Sequence, residues 1–185
     1  MADLLYLSYW LRGFGRGNEL RWFGAALAKF PFSAAAGGIT SLRVYALEQA
    51  EPPLLETCYS GGGADAIVSA AAEFQSPDCA YLAGGCWDLW QQQDGWKLLP
   101  APVSVCCYGP EFENEMGDHL RFELGLDSHF LPPAGEPQGA ALVKSNIQSV
   151  LRLARELDQS LPVRGRRLWT ESGEDFAARL ASFSR

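Results

Sequence analysis

Nothing in the 185-residue chain approaches the roughly 20 consecutive apolar residues that a membrane helix needs. The first residues, Met1-Ala2-Asp3-Leu4-Leu5, put an acidic residue where a secretory leader wants a basic one, and Arg12 interrupts the apolar stretch early. Neither membrane insertion nor export is therefore expected. Basic residues are in the minority, and the net charge of −7 argues against nucleic acid, whose phosphates need a basic footprint. There is no Gly-Lys-Ser or Gly-Lys-Thr, so no Walker loop, and no Cys-x-x-Cys; Cys79 to Cys86 is too wide for a zinc knuckle. No cofactor and no metal are expected. Disulfides are not expected either. The five cysteines (Cys58, Cys79, Cys86, Cys106, Cys107) are odd in number and lie in or beside apolar runs, as reduced, mostly buried thiols of a cytoplasmic protein would.

What the chain does contain is enough apolar residue, 48%, and little enough charge, 20%, to build a self-sufficient core. The length suits a single domain over 1–185, or two fused halves at 1–92 and 93–185. The charge is uneven. From Lys144 to Arg185 there are eight basic and five acidic residues, +3; residues 1–143 hold the other seven basic and seventeen acidic, −10.

Leu4–Arg12 is apolar at both strand parities and reads as a strand inside a sheet. Gly13, Gly15 and Gly17 break it. Asn18 reads as the cap of a helix carrying Leu20, Phe23, Leu27 and Phe30, which Pro31 ends. Ile39–Glu48 and Leu54–Ser60 read as a hairpin around Pro52-Pro53, Gly61–Gly63 as a joint, Ala64–Phe74 as a helix and Tyr81–Trp90 as a strand. Beyond it, Asp94-Gly95 signals a hairpin turn, and Val103–Tyr108 and His119–Phe130 read as strands. Ala140–Leu157 shows a helical stripe of Val143, Ile147, Val150, Ala154 and Leu157. Arg167–Thr170 is a short strand, and Ser172 with Asp175 forms an approximate capping box for a last helix. Leu168, Trp169, Phe176 and Leu180 are expected to dock on the body of the chain.

The order of elements over residues 4–90, strand-helix-strand-strand-helix-strand, resembles the split βαββαβ order of ferredoxin-like folds. The expected class is α+β: an antiparallel sheet with helices on one face, extended by a strand-rich second half and C-terminal helices. That fold hosts many unrelated functions and implies none by itself.

Function must come from constellations of residues. His119, Arg121, Glu123, Asp127 and His129 share strand parity and would project from one face, a set suited to acid–base or metal chemistry. His119 and His129 would lie about 33 Å apart on an ideal strand, too far for one ion unless the chain bends, as at Gly125. A solvated sheet face is the plainer account of the same set. The glycine cluster at 13–17 lacks the dinucleotide spacing and its distal acid, so it reads as a turn. Cys106 and Cys107 should point to opposite faces. Glu111, Glu113, Glu115 and Asp118 read as a solvated acidic loop without calcium-loop spacing. Trp87, Trp90 and Trp96, around the Asp94-Gly95 turn, read as hairpin and core anchors.

Two functions remain. The first is a non-catalytic intracellular binding protein, acting as a homodimer or with a protein partner. The alternative is a small-molecule enzyme using the His119–His129 face, with His119, Glu123, Asp127 and His129 as its candidate residues. A closed apolar pocket with a histidine and a carboxylate pointing into it would favour the enzyme; the same side chains in open solvent would favour the binder.

Overall fold

The computed structural model describes residues 2–132 and 137–183. Seven strands form one antiparallel sheet: β1 (Leu4–Leu11), β2 (Ile39–Ala46), β3 (Leu55–Gly62), β4 (Cys79–Gln92), β5 (Trp96–Tyr108), β6 (Leu120–Leu126) and β7 (Val163–Thr170). Their order across the sheet is β3-β2-β4-β5-β6-β1-β7. Helices α1 (Glu19–Lys29), α2 (Ala64–Ala72), α3 (Pro137–Ser160) and α4 (Phe176–Phe183) complete the structure. No helix among the described residues is long and apolar enough to cross a membrane.

Strand parity explains how the layers form. Leu5, Leu7, Tyr9 and Leu11 of β1, Leu120, Phe122 and Leu124 of β6, and Val103, Val105 and Cys107 of β5 all point into one cluster with Phe23, Leu27, Leu153 and Leu157 of the helices. That core lies between the sheet and helices α1, α2 and α3. Phe122 anchors it, 5.9 Å from the Phe30 ring and 5.8 Å from Tyr9. The opposite parity points to a face that no helix covers. Among the described residues, Ala80, Cys106, Tyr108 and Phe112 form a buried apolar cluster there, with Tyr45 and Leu82 against them, and Trp169 is buried on the same face. Cys106 and Cys107 are thus split between the two faces, and all five cysteines are free thiols, three of them buried.

The βαββαβ order of elements is present in residues 4–92, but β5 and β6 lie between β4 and β1, so β1 pairs with β6 and β7 rather than with β4. The turn at Asp94-Gly95 has both residues at positive φ, 48° and 110°, and lies between the paired Gln92 and Trp96. β4 and β5 run longer than their local signals imply. Pro100 and Pro102 sit within β5 because that stretch is bonded only to β4, and its other edge is open.

Three local expectations need correction. Asn18 does not cap α1 with its side chain; its Oδ1 accepts from Gly15 N–H and its Nδ2 donates to the Gly13 carbonyl, tying the glycine turn together. The cap of α4 is Asp175 itself, whose Oδ1 accepts from Ala178 N–H, while Ser172 bonds Thr170. The strand expected to run to Phe130 ends at Leu126, and Asp127–Phe130 is a 3-10 turn. Gly125, with φ of 90°, makes that break.

The C-terminal segment docks as expected. Phe176 is fully buried in the main core, Trp169 is buried, and Leu168 and Leu180 pack against the core.

Candidate functional site

The uncovered face gathers the most elaborate polar arrangement among the described residues. Cross-strand register builds two rows on it. One runs Trp169, Tyr6, Glu123, Ser104 across β7, β1, β6 and β5; the next runs Arg167, Ser8, Arg121, Cys106. Asp118, just before β6, closes the second row from below. It is 1% exposed.

Five side chains then satisfy one another. Trp169 Nε1 donates to Ser8 Oγ at 3.0 Å, and Ser8 Oγ donates to Asp118 Oδ2 at 2.6 Å. Arg121 clamps Asp118 with two bonds, Nε to Oδ2 at 2.8 Å and Nη2 to Oδ1 at 2.7 Å. Asn114 Nδ2 donates to Asp118 Oδ1 at 2.8 Å, and Asn114 Oδ1 accepts from Arg121 Nη2 at 3.1 Å. The paired Arg–carboxylate geometry is the strong form of this contact. Three aromatic rings surround the guanidinium: Tyr108 at 5.0 Å, Trp169 at 5.4 Å and Tyr6 at 5.9 Å.

Above this floor lies a cleft of about 350 Å³, walled by Tyr6, Tyr108, Trp169 and Met116 and rimmed by Glu113, Glu115 and Glu171. A narrower recess of about 90 Å³ shares Tyr6, Tyr108 and Arg121 with it and continues to Ser104 and Glu123. The acidic loop is fastened to the body: Glu113 N–H bonds the Leu47 carbonyl at 2.8 Å and Glu111 N–H the Pro77 carbonyl at 2.7 Å. Glycine is required at 109, where a Cβ would press into the Pro77 and Cys79 carbonyl oxygens. The expectation of a solvated loop therefore holds for Glu113 and Glu115, which are exposed, and fails for Asp118. Asp118 meets Ser8, 110 residues away, through the β1–β6 pairing.

The electrostatics follow from burial. Burial raises the pKa of Glu123, and neighbouring Glu171 raises it further. Burial also raises the Tyr6 phenol, with Glu123 and Glu171 adding to it and Arg121 opposing. Burial works against the charge on Arg121, but the hydrogen bond and charge of Asp118 outweigh it and hold the guanidinium protonated. The Cys106 thiol is pushed up to about 12 by burial, so it stays protonated at neutral pH and is no nucleophile there.

The sequence-derived candidates are placed as follows. His119 is half-buried and stacked on Phe14 at 4.2 Å; its Nδ1 accepts from Leu11 N–H at 2.9 Å. Its pKa is lowered by burial and then by Arg164, against Asp118. Glu123 lies in the recess beside Arg121. Asp127 is buried in the 3-10 turn, where Oδ1 accepts from Asp3 N–H at 3.1 Å and Oδ2 lies 3.8 Å from Arg179. His129 lines a different cleft of about 390 Å³ with Trp90, Trp96 and Leu126. Its Nδ1 is buried with no partner, and burial lowers its pKa against Asp127. The break at Gly125 thus separates His129 and Asp127 from Glu123, and the four residues line no common cleft. No group of three or more His, Cys, Asp or Glu suited to a metal ion occurs among the described residues.

Tyr6, Ser8, Asn114 and Trp169 are site residues that no sequence motif marks. A serine at position 8, inside an otherwise apolar strand, was the one local signal available. Another buried polar residue, Asn146 on α3, bonds Trp90 N–H and carbonyl and the His129 carbonyl at 2.8–2.9 Å, and so pins the β4–β5 hairpin to the helix layer.

Set against protein-family models, curated proteins and solved structures, the chain has no match in any of the three. The reading of its function rests on the site itself.

Proposed function

We propose that this chain is a non-catalytic intracellular binding protein that contacts its partner with the uncovered face of the sheet, centred on the cleft above Arg121. One observation carries the reading. The chain devotes a buried ion pair and three further hydrogen-bonding side chains to a face that no helix covers. A buried ion pair contributes little net stability compared with apolar residues of the same shape. What such a network does supply is a rigid floor whose rotamers are set in advance, and preorganisation is what lowers the cost of association. Aromatic and arginine side chains at the centre, with a charged rim, are the composition of an interaction hot spot.

The free thiols accord with a reducing, cytoplasmic setting. The ferredoxin-like order of the first six elements adds nothing to the functional reading, and treating residues 1–185 as one domain adds only that the partner meets a single rigid sheet.

A photo-crosslinking amino acid placed in turn at positions 49 and 171, on the cleft, and at 148 and 151, on the exposed side of α3, tests the proposal in cells of the source organism. Crosslinked partners from 49 and 171 alone are the expected result. Crosslinks confined to 148 and 151 would move the interface to the helical face. Turnover of a small molecule that depends on His119 or His129 would favour the enzyme instead.

A further inference from the structure

We infer that the cleft receives a lysine or arginine side chain from an extended basic segment of a partner protein. The inference rests on the reading of the uncovered face as the binding surface, and it names what that surface selects.

Charge is the first argument. Arg121 is the single cation among the described residues lining the cleft and its recess, and Asp118 directly beneath cancels it. An incoming group therefore meets Glu113, Glu115 and Glu171 around the mouth and Glu123 deeper in, four carboxylates against the one neighbouring cation, Arg167, whose guanidinium lies 5.9 Å from the Trp169 ring. An acidic partner would bring its charge against four carboxylates, and like-charge juxtaposition excludes partners as effectively as attraction selects them. The net charge of −7 would favour the approach of a basic partner before contact.

The walls are the second argument. Tyr6, Tyr108 and Trp169 already hold the guanidinium of Arg121 within 6 Å of their ring centres, so the aromatic geometry is one that accommodates a planar cation. Met116 adds an adaptable apolar contact for the methylene stem of a long side chain. The third argument is shape. The cleft continues into the recess through shared Tyr6, Tyr108 and Arg121, so the acidic path extends across the strands rather than ending in a closed chamber. That suits an extended polypeptide better than a compact metabolite. The pKa of Glu123 is raised first by burial and then by Glu171, and an arriving cation would relieve the second of these.

The experiment measures binding of acetyl-tetra-arginine amide and acetyl-tetra-glutamate amide to the full chain by calorimetry, at about 50 mM salt, where surface charges are weakly screened. The Trp169 indole N–H resonance, assigned by its loss in Trp169→Phe, is followed in parallel. The arginine peptide should bind and shift that resonance; the glutamate peptide should do neither. Replacing the exposed rim with E113Q, E115Q and E171Q together should weaken binding by about tenfold or more. The same charge change at distant exposed positions, E73Q, D94N and E156Q, should weaken it less than about twofold. Both triples alter exposed side chains, and unchanged melting curves confirm the fold.

Equal weakening by the two triples would mean diffuse attraction and would overturn the inference. So would binding of the glutamate peptide, or a dimer seen in sedimentation that the rim triple dissolves, which would put a second copy in the cleft. Failure of the arginine peptide to bind would also overturn it. Crosslinks from positions 49 and 171 would in that case leave the uncovered face as the binding surface and remove only its preference for a cation.

Discussion

The two faces of the sheet are built from the same strands and obey different rules. On the helix-covered face every strand contributes aliphatic or aromatic residues, and α1, α2 and α3 close over them. On the other face the same strands contribute Tyr6, Ser8, Ser104, Arg121, Glu123 and Trp169, and order comes from hydrogen bonds. The first face holds the fold by removing apolar surface from water. The second holds a shape, at small net gain, and leaves that shape accessible. The contrast teaches where stability and recognition are separated in this molecule, and it can be broken experimentally.

The largest effect is expected on the covered face. Phe122→Ala removes a ring that contacts Phe30 and Tyr9 and should cost about 3–5 kcal/mol in urea or thermal unfolding. A loss below about 1 kcal/mol would show that this core is not what holds the sheet.

Next comes the network. Asp118→Ala strands the Arg121 charge and leaves Ser8 without its acceptor, while Asn114 Nδ2 keeps its bond to the carbonyl of residue 118. Because the Arg121 side chain is 19% exposed, the expected cost is about 2–3 kcal/mol rather than the full figure for a buried pair. The double variant Asp118→Leu/Arg121→Met should recover most of that loss in the same melt. If it remains as unstable as the single variant, the network is a stabilising element after all and the separation of roles fails.

Acid sensitivity is smaller and has a definite sign. His119 and His129 both have folded pKa values below the ordinary 6.5, chiefly from burial. Their contribution to stability is full above about pH 6.5 and is lost as pH falls through the lowered folded values. Melting temperature should fall as pH drops below about 6.5, and His119→Gln/His129→Gln should flatten that slope. An unchanged slope in the double variant would assign acid sensitivity to other groups.

Glu123 titrates with the opposite sign. Its folded pKa is raised, so its contribution is most favourable when protonated and is lost as pH rises through that value. Glu123→Gln should raise the melting temperature near pH 7 and leave it unchanged near pH 4, around the ordinary carboxylate value. Destabilisation at neutral pH would show that the carboxylate has a stabilising partner in the recess.

The smallest effect is expected far from both, at the exposed Arg43–Glu56 pair on β2 and β3, where Arg43→Ala should change stability by no more than about 1 kcal/mol.

Much of the covered face was legible from residue order. The period-two patterns of Leu5–Leu11 and Leu120–Leu124, the helical stripe of Val143, Val150, Ala154 and Leu157, and the Asp94-Gly95 turn all report local backbone geometry, and all correspond to observed elements. The site was hardly legible. Strand parity alone marks Arg121, and the acidic run 111–118 marks Asp118 as solvent-exposed, because nothing near either residue in the chain reveals its partner. Asn18 and Ser172 misled for a related reason: each is a good cap former, and each found a neighbouring turn bond instead.

Composition and periodicity therefore determined the α+β class, the core-facing parity of the strands and the free state of the thiols, since each depends on a residue and its near neighbours. Tertiary structure alone decided the strand order that places β5 and β6 between β4 and β1. Backbone hydrogen bonds form between any two extended strands, so pairing is selected by the sum of distant contacts and not by a local code. That selection brings Ser8 to Asp118 across 110 positions and Trp169 to Ser8 across 161. The cleft exists because two long-range pairings of β1 lie side by side in one sheet.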